Sequence, residues 1–80
     1  MTRDEFYART RDYLADPARR LGVERIGEDD HLLALGLVDS LRMVELIAFA
    51  ERVLGVEIRA EDHDPDVFYT LRSLYDAFGG

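Results

Sequence analysis

Apolar residues recur along this chain at intervals of three and four, which predicts helices rather than strands. The clearest case runs from Ser40 to Leu54. There Met43, Leu46, Ile47, Ala50, Val53 and Leu54 form an i, i+3, i+4, i+7 stripe that must face a core. Gly55 stops this helix as a C-cap, and Asp39 stands at its N-cap. On the far side Leu41, Val44 and Ala48 lie among Glu45, Glu51 and Arg52, an apolar strip rimmed by charge. Thr70 caps a later helix with the stripe Leu71, Leu74, Tyr75 and Phe78, and Gly79-Gly80 ends it.

At the other end of the chain, Thr2 to Glu5 reads as a capping box, followed at helical spacing by Phe6, Thr10, Tyr13 and Leu14. Asp16-Pro17 interrupts, because proline costs about 3 kcal/mol inside a helix but little in its first turn. Pro17, Ala18 and Leu21 keep the same phase. The sequence therefore allows either a kinked helix or a second short turn beginning after Asp16, ended by Gly22.

Gly22 to Val38 is a long connection for a small domain, with Gly27, Gly36 and the acidic cluster Glu28-Asp29-Asp30. Such connections are functional or carry a short helix of their own. Leu32, Leu33, Leu35 and Leu37 are expected to pin it to the core. Val56-Glu57-Ile58 alternates like a strand but has nothing to pair with, so it reads as an extended connector burying Val56 and Ile58. Asp64-Pro65 reads as an N-cap with proline at the first helical position, opening one turn that buries Val67 or Phe68. The expected fold is all-α: a single domain over residues 1–80, a small four-helix bundle of three main helices and one short one.

Composition narrows the function classes. Seventeen acidic residues against ten basic ones, all Arg, give a net charge of −7. That disfavours nucleic acid and anionic membrane as partners, and suits proteins with basic patches. No cysteine is present, which rules out disulfides and thiolate metal sites. No apolar run matches a membrane span or a signal-peptide core, so a cytoplasmic location is expected, and the chain is expected to be a monomer. A chain of 80 residues has little room for a buried catalytic cleft.

The candidate chemistry centres on Ser40, at the end of an apolar, glycine-containing loop and the start of the helix that runs to Leu54. A helix N-terminus favours an attached phosphate through its free N–H groups and its dipole. Serine after aspartate can equally be a mere cap. A hydrolase is disfavoured, because Val38 and Arg42 occupy the glycine positions of a nucleophile elbow and only His31 and His63 could act as base. Asp62, Asp64 and Asp66 alternate like the start of a calcium loop, but Val67 and Ser73 stand where glycine and glutamate are required.

Asp39-Ser40-Leu41 opening a helix resembles the phosphopantetheine attachment site of acyl and peptidyl carrier proteins. Leu21-Gly22-Val23, Val44-Glu45-Leu46 and Gly55 to Ile58 match further family patterns in order, and the resemblance runs from Phe6 to Phe78. It implies a non-catalytic carrier of that bundle type. Ser40 would receive 4′-phosphopantetheine from coenzyme A through a phosphopantetheinyl transferase that reads Asp39 and Leu41. An adenylating ligase or acyltransferase would load the arm, and downstream enzymes would use it. The partner surface implied is Asp39, Leu41, Arg42, Val44, Glu45 and Ala48. Arg42 stands where many carriers of fatty-acid synthesis have an acidic or small residue, Arg52 interrupts their usual acidic run, and the segment Pro65 to Leu74 looks like small free-standing carriers of the D-alanyl or glyceryl type. A short acyl or aminoacyl cargo in a specialised pathway follows from that likeness. The alternative is a carrier-like adaptor that binds partners through the same helix and is never modified.

Overall fold

In the computed structural model, which describes residues 1–79, Thr2 opens α1 (Arg3–Tyr13) through a complete capping box. The Thr2 hydroxyl accepts from the Glu5 N–H at 3.2 Å, and the Glu5 carboxylate accepts in return from the Thr2 N–H. The chain breaks at Leu14 and resumes as α2 (Ala15–Leu21). The break comes two residues before the expected point, and Pro17 is the reason. Its nitrogen can donate nothing to the Tyr13 carbonyl four residues back, and its ring crowds that carbonyl, so regular helix stops there. Inside α2, Pro17 falls in the first turn, where N–H groups have no intrahelical acceptor anyway. Gly22 closes α2 with φ +74°, a left-handed geometry that costs a Cβ-bearing residue about 1–2 kcal/mol.

α3 (Ser40–Leu54) has the bounds the periodicity gives, and α4 (Leu71–Phe78) starts from a second capping box between Thr70 and Ser73. Two 3-10 turns, Ala60–Asp62 and Pro65–Phe68, lie between them. The second is the turn expected after Asp64, and it buries Phe68 with Val67 half-buried. The fourth α-helix is thus α2, and the short element near Asp64 is 3-10. No strand occurs among the described residues. Gly79 caps α4, while Gly80 of the expected glycine pair lies outside the described residues.

The core draws Phe6 from α1, Leu46 from α3, and Leu71 and Leu74 from α4, each fully buried. Burying a side chain of this size stabilises by about 1.5–3 kcal/mol. The connection from Gly22 to Asp39 contributes as heavily, through Ile26, Leu32, Leu37 and Val38. It carries no helix, only hydrogen-bonded turns in which Leu35 N–H reaches His31 O and Gly36 N–H reaches Leu33 O. Consecutive side chains of such turns diverge, so Leu33 and Leu35 point outward and do not pin the segment as expected. Leu32 N–H donates to Tyr69 O at 2.8 Å and Arg72 N–H to Glu28 O at 3.0 Å, fastening the connection to the start of α4. The Arg72 guanidinium adds a fork onto Asp29, with bonds of 2.7 and 3.0 Å, and a contact to Glu28. That hydrogen bonding holds the Asp29 carboxyl below the usual aspartate range and raises Arg72.

Three further apolar residues depart from expectation. Leu21 is exposed, on a side of α2 that faces Gly36 and Arg42 instead of the core. Val56 is also exposed, because its N–H is still bound to Glu51 O and the chain becomes extended only after it. Tyr13 is partly exposed but stacks on Phe49 of α3 at 4.3 Å, and that pairing buries Phe49, a residue absent from the expected stripe.

Candidate functional site

Ser40 is held in place from both directions. Upstream, Leu37 and Val38 are buried, with the Leu37 N–H bonded to Leu32 O at 3.0 Å. Gly36, at φ +79°, lets the chain reverse into that anchor. Downstream, Leu46 and Ala50 fix α3 in the core. Between these anchors Asp39, Ser40 and Leu41 are all exposed.

Asp39 Oδ1 accepts from the Arg42 N–H at 2.9 Å and Asp39 O from the Met43 N–H at 2.8 Å, so Asp39 is the cap. The N–H groups of Ser40 and Leu41 have no acceptor among the described residues. The chain has five hydroxyl-bearing Ser and Thr residues, and four are occupied. Thr2, Thr70 and Ser73 work in capping boxes, and the Thr10 hydroxyl donates to Phe6 O at 2.7 Å. Among the Ser and Thr hydroxyls of the described residues, that of Ser40 alone makes no hydrogen bond. It is a spare nucleophile beside two spare donors, at the positive end of a 15-residue helix dipole.

The surroundings come from α3, α2 and the last residue of α1. Asp39, Leu41, Arg42 and Glu45 share an open groove with Tyr13, Pro17 and Arg20. Arg42 and Arg20 also meet Leu21 and Gly36 in a smaller recess alongside. Val44 is 65 % and Leu41 73 % exposed, whereas Ala48 is half-buried because α3 sinks into the bundle towards its C-terminal half. The apolar strip therefore narrows to Leu41 and Val44. Arg20, Pro17 and Leu21 were missed by the sequence reading; their spacing on one side of α2 was visible, but the facing element was not.

Neither histidine attends the serine. His31 Nδ1 accepts from the Ala34 N–H at 3.0 Å and its ring packs on Tyr69, while the His63 ring sets its edge against Phe78. In the acidic turn Asp64 caps the Asp66 N–H and Asp62 pairs with Arg59. Among the described residues no group of three or more His, Asp or Glu is placed to hold a metal ion, and no helix is long and apolar enough to cross a membrane.

A family model described as the phosphopantetheine attachment site matches residues 18–77, from the middle of α2 to the end of α4. The chain belongs to that family. No curated protein and no solved structure matches it. Members of the phosphopantetheine attachment site family carry a covalently attached 4′-phosphopantetheine and are generally non-catalytic carriers. They work with phosphopantetheinyl transferases and with enzymes that load or use the arm. The residues present fit that group, since a phosphodiester needs a free hydroxyl for attachment and N–H donors for its oxygens, and both stand open at the start of α3.

Proposed function

We propose that Ser40 is the attachment residue and that the domain presents a short acyl or aminoacyl unit to the enzymes of a specialised pathway. One observation carries the assignment: Ser40 is exposed and its hydroxyl, alone among the Ser and Thr hydroxyls of the described residues, makes no hydrogen bond within the fold. The transferase supplies the base. The Ser40 oxygen displaces the nucleotide half of coenzyme A from phosphorus and becomes a phosphodiester, while its proton leaves to the transferase. Once attached, the arm supplies a terminal thiol that holds the cargo as a thioester. Asp39 keeps the first turn of α3 in register by capping Arg42, and the Ser40 and Leu41 N–H groups meet the phosphodiester charge.

Asp39 and Leu41 are the residues we assign to the transferase contact. Arg42, with Val44, Glu45 and Ala48, is assigned to recognition by an adenylating ligase or acyltransferase. The support is position: Leu41 and Val44 are apolar and exposed beside the serine, and Arg42 puts a cation on the rim of the same groove. The decisive experiment is intact-protein mass after incubation with coenzyme A and a broad-specificity phosphopantetheinyl transferase. A gain of one arm, abolished in Ser40→Ala, is expected. A chain that gains nothing, or a variant that still gains the arm, overturns the assignment; the first result favours an unmodified adaptor.

A further inference from the structure

α2 has two working sides. Asp16, Pro17 and Arg20 share a groove with the start of α3, but Ala15, Ala18, Arg19 and Gly22 line a second groove, of about 540 Å³, on the other side. α1 contributes Arg11 to it, and the chain leaving α2 contributes Val23 to Ile26. Its floor is apolar: Ala18 and Ile26 are buried and Val23 packs on the core. Its charge runs against that of the chain. Arg11, Arg19 and Arg25 face one acid, Glu24, in a protein of net charge −7.

These arginines are available. Arg11 is set in place by its Nε bond to Ile26 O at 2.7 Å and by the Tyr7 ring 5.7 Å from its guanidinium carbon, which leaves its terminal nitrogens unpartnered among the described residues. The Arg25 side chain makes no ion pair or hydrogen bond among the described residues. Arg19 pairs only with Asp16, at 3.0 Å and well exposed on both sides, a contact worth little in water. The N–H groups of Glu24 and Arg25 also lack acceptors among the described residues.

We infer that this groove is a docking site for an acidic, partly apolar, extended segment of a partner protein. Carboxylates meet the guanidinium forks, an apolar side chain covers the Ala18–Val23–Ile26 floor, and backbone carbonyls meet the free N–H groups. A large polyanion is repelled by the whole chain, whereas a short segment feels mainly the local field, within a Debye length of about 8 Å. Because the groove lies across α2 from the start of α3, a partner held there leaves Ser40 uncovered. The domain can be tethered while its serine serves other enzymes. This inference does not depend on Ser40 being modified.

The test is an NMR titration of the isotope-labelled full chain, without the arm, using a short capped peptide of alternating Glu and Leu. Amide shifts are expected at Arg11, Arg19 and Val23 to Ile26, and not from Ser40 to Ala48. Binding should fall at least about ten-fold, or about 1.4 kcal/mol, when Gln replaces Glu in the peptide. The same loss is expected in the Arg19→Glu/Arg25→Glu double variant, whose exposed positions leave the core intact, and not in Arg42→Glu. Absence of binding at millimolar peptide, equal binding of the Gln peptide, or shifts centred on α3 overturns the proposal. So does self-association by sedimentation, or binding to phosphatidylglycerol vesicles, that is lost in the double variant while the peptide stays unbound. Since no step uses coenzyme A, failure here is distinct from failure of the mass assay.

Discussion

A residue with no structural duty can be replaced without structural cost, and Ser40 is such a residue. Ser40→Ala should change stability by no more than about 0.5 kcal/mol, the range for exposed positions without special contacts, while abolishing the mass gain. Its neighbour behaves in the opposite way. Asp39→Ala removes the bond to the Arg42 N–H and should cost about 0.5–2 kcal/mol, read as a lower urea midpoint at unchanged slope. Arg42 separates two partners. Arg42→Glu should slow loading of the arm more than it slows attachment, with both rates measured on one preparation at fixed ionic strength. A collapse of attachment with loading untouched would move Arg42 into the transferase contact. The Asp39-Ser40-Leu41 motif was legible because it is local. The vacancy of the Ser40 hydroxyl was not, since it depends on where every other donor and acceptor went.

At the scale of one helix, α3 shows how far periodicity reaches. Leu46 is fully buried, so Leu46→Ala should cost about 2–5 kcal/mol, whereas Val44→Ala should stay within about 0.5 kcal/mol. Ile47 is only half-buried and should fall between them. Equal losses at Leu46 and Val44 in thermal melts would mean that α3 is turned the wrong way. Gly55 isolates backbone strain from packing: φ is +68°, and a Cβ there would meet nothing within 4 Å. Gly55→Ala should therefore cost only the left-handed penalty, about 1–2 kcal/mol. N-caps and C-cap glycines were readable because each is satisfied within a few residues. The stripe omitted Phe49, because its burial rests on Tyr13 reaching across from α1.

For the whole molecule, the connection between α2 and α3 is tied to α4 by Arg72. Asp29 has a folded pKa lowered below its unfolded value, first through the Arg72 hydrogen bond. Its contribution is thus present above the ordinary aspartate range and is lost as pH falls through the depressed value, below about pH 4. The pair is exposed, so the effect is modest and weakens with salt. Arg72→Gln should lower stability near neutral pH and flatten the loss between about pH 5 and pH 2, seen in urea midpoints measured across that range. A variant with the same acid limb as the parent chain would remove the latch from the account.

What the sequence determined by itself is whatever a few neighbouring residues can settle: the helical class, the bounds of α3 and α4, the caps at Thr2, Asp39, Thr70 and Gly55, and the motif around Ser40. Only tertiary structure decided which leucines of the long connection face inward, because Leu32 and Leu33 carry the same side chain and differ in the direction a turn gives them. It also decided that α2 stands apart and divides two grooves. One faces the start of α3 and the other gathers Arg11, Arg19 and Arg25. Those residues lie up to fourteen positions apart and meet because the chain turns at Leu14 and Gly22. Periodicity reports a side chain's angle about its own helix, and says nothing of what the fold brings to stand opposite it.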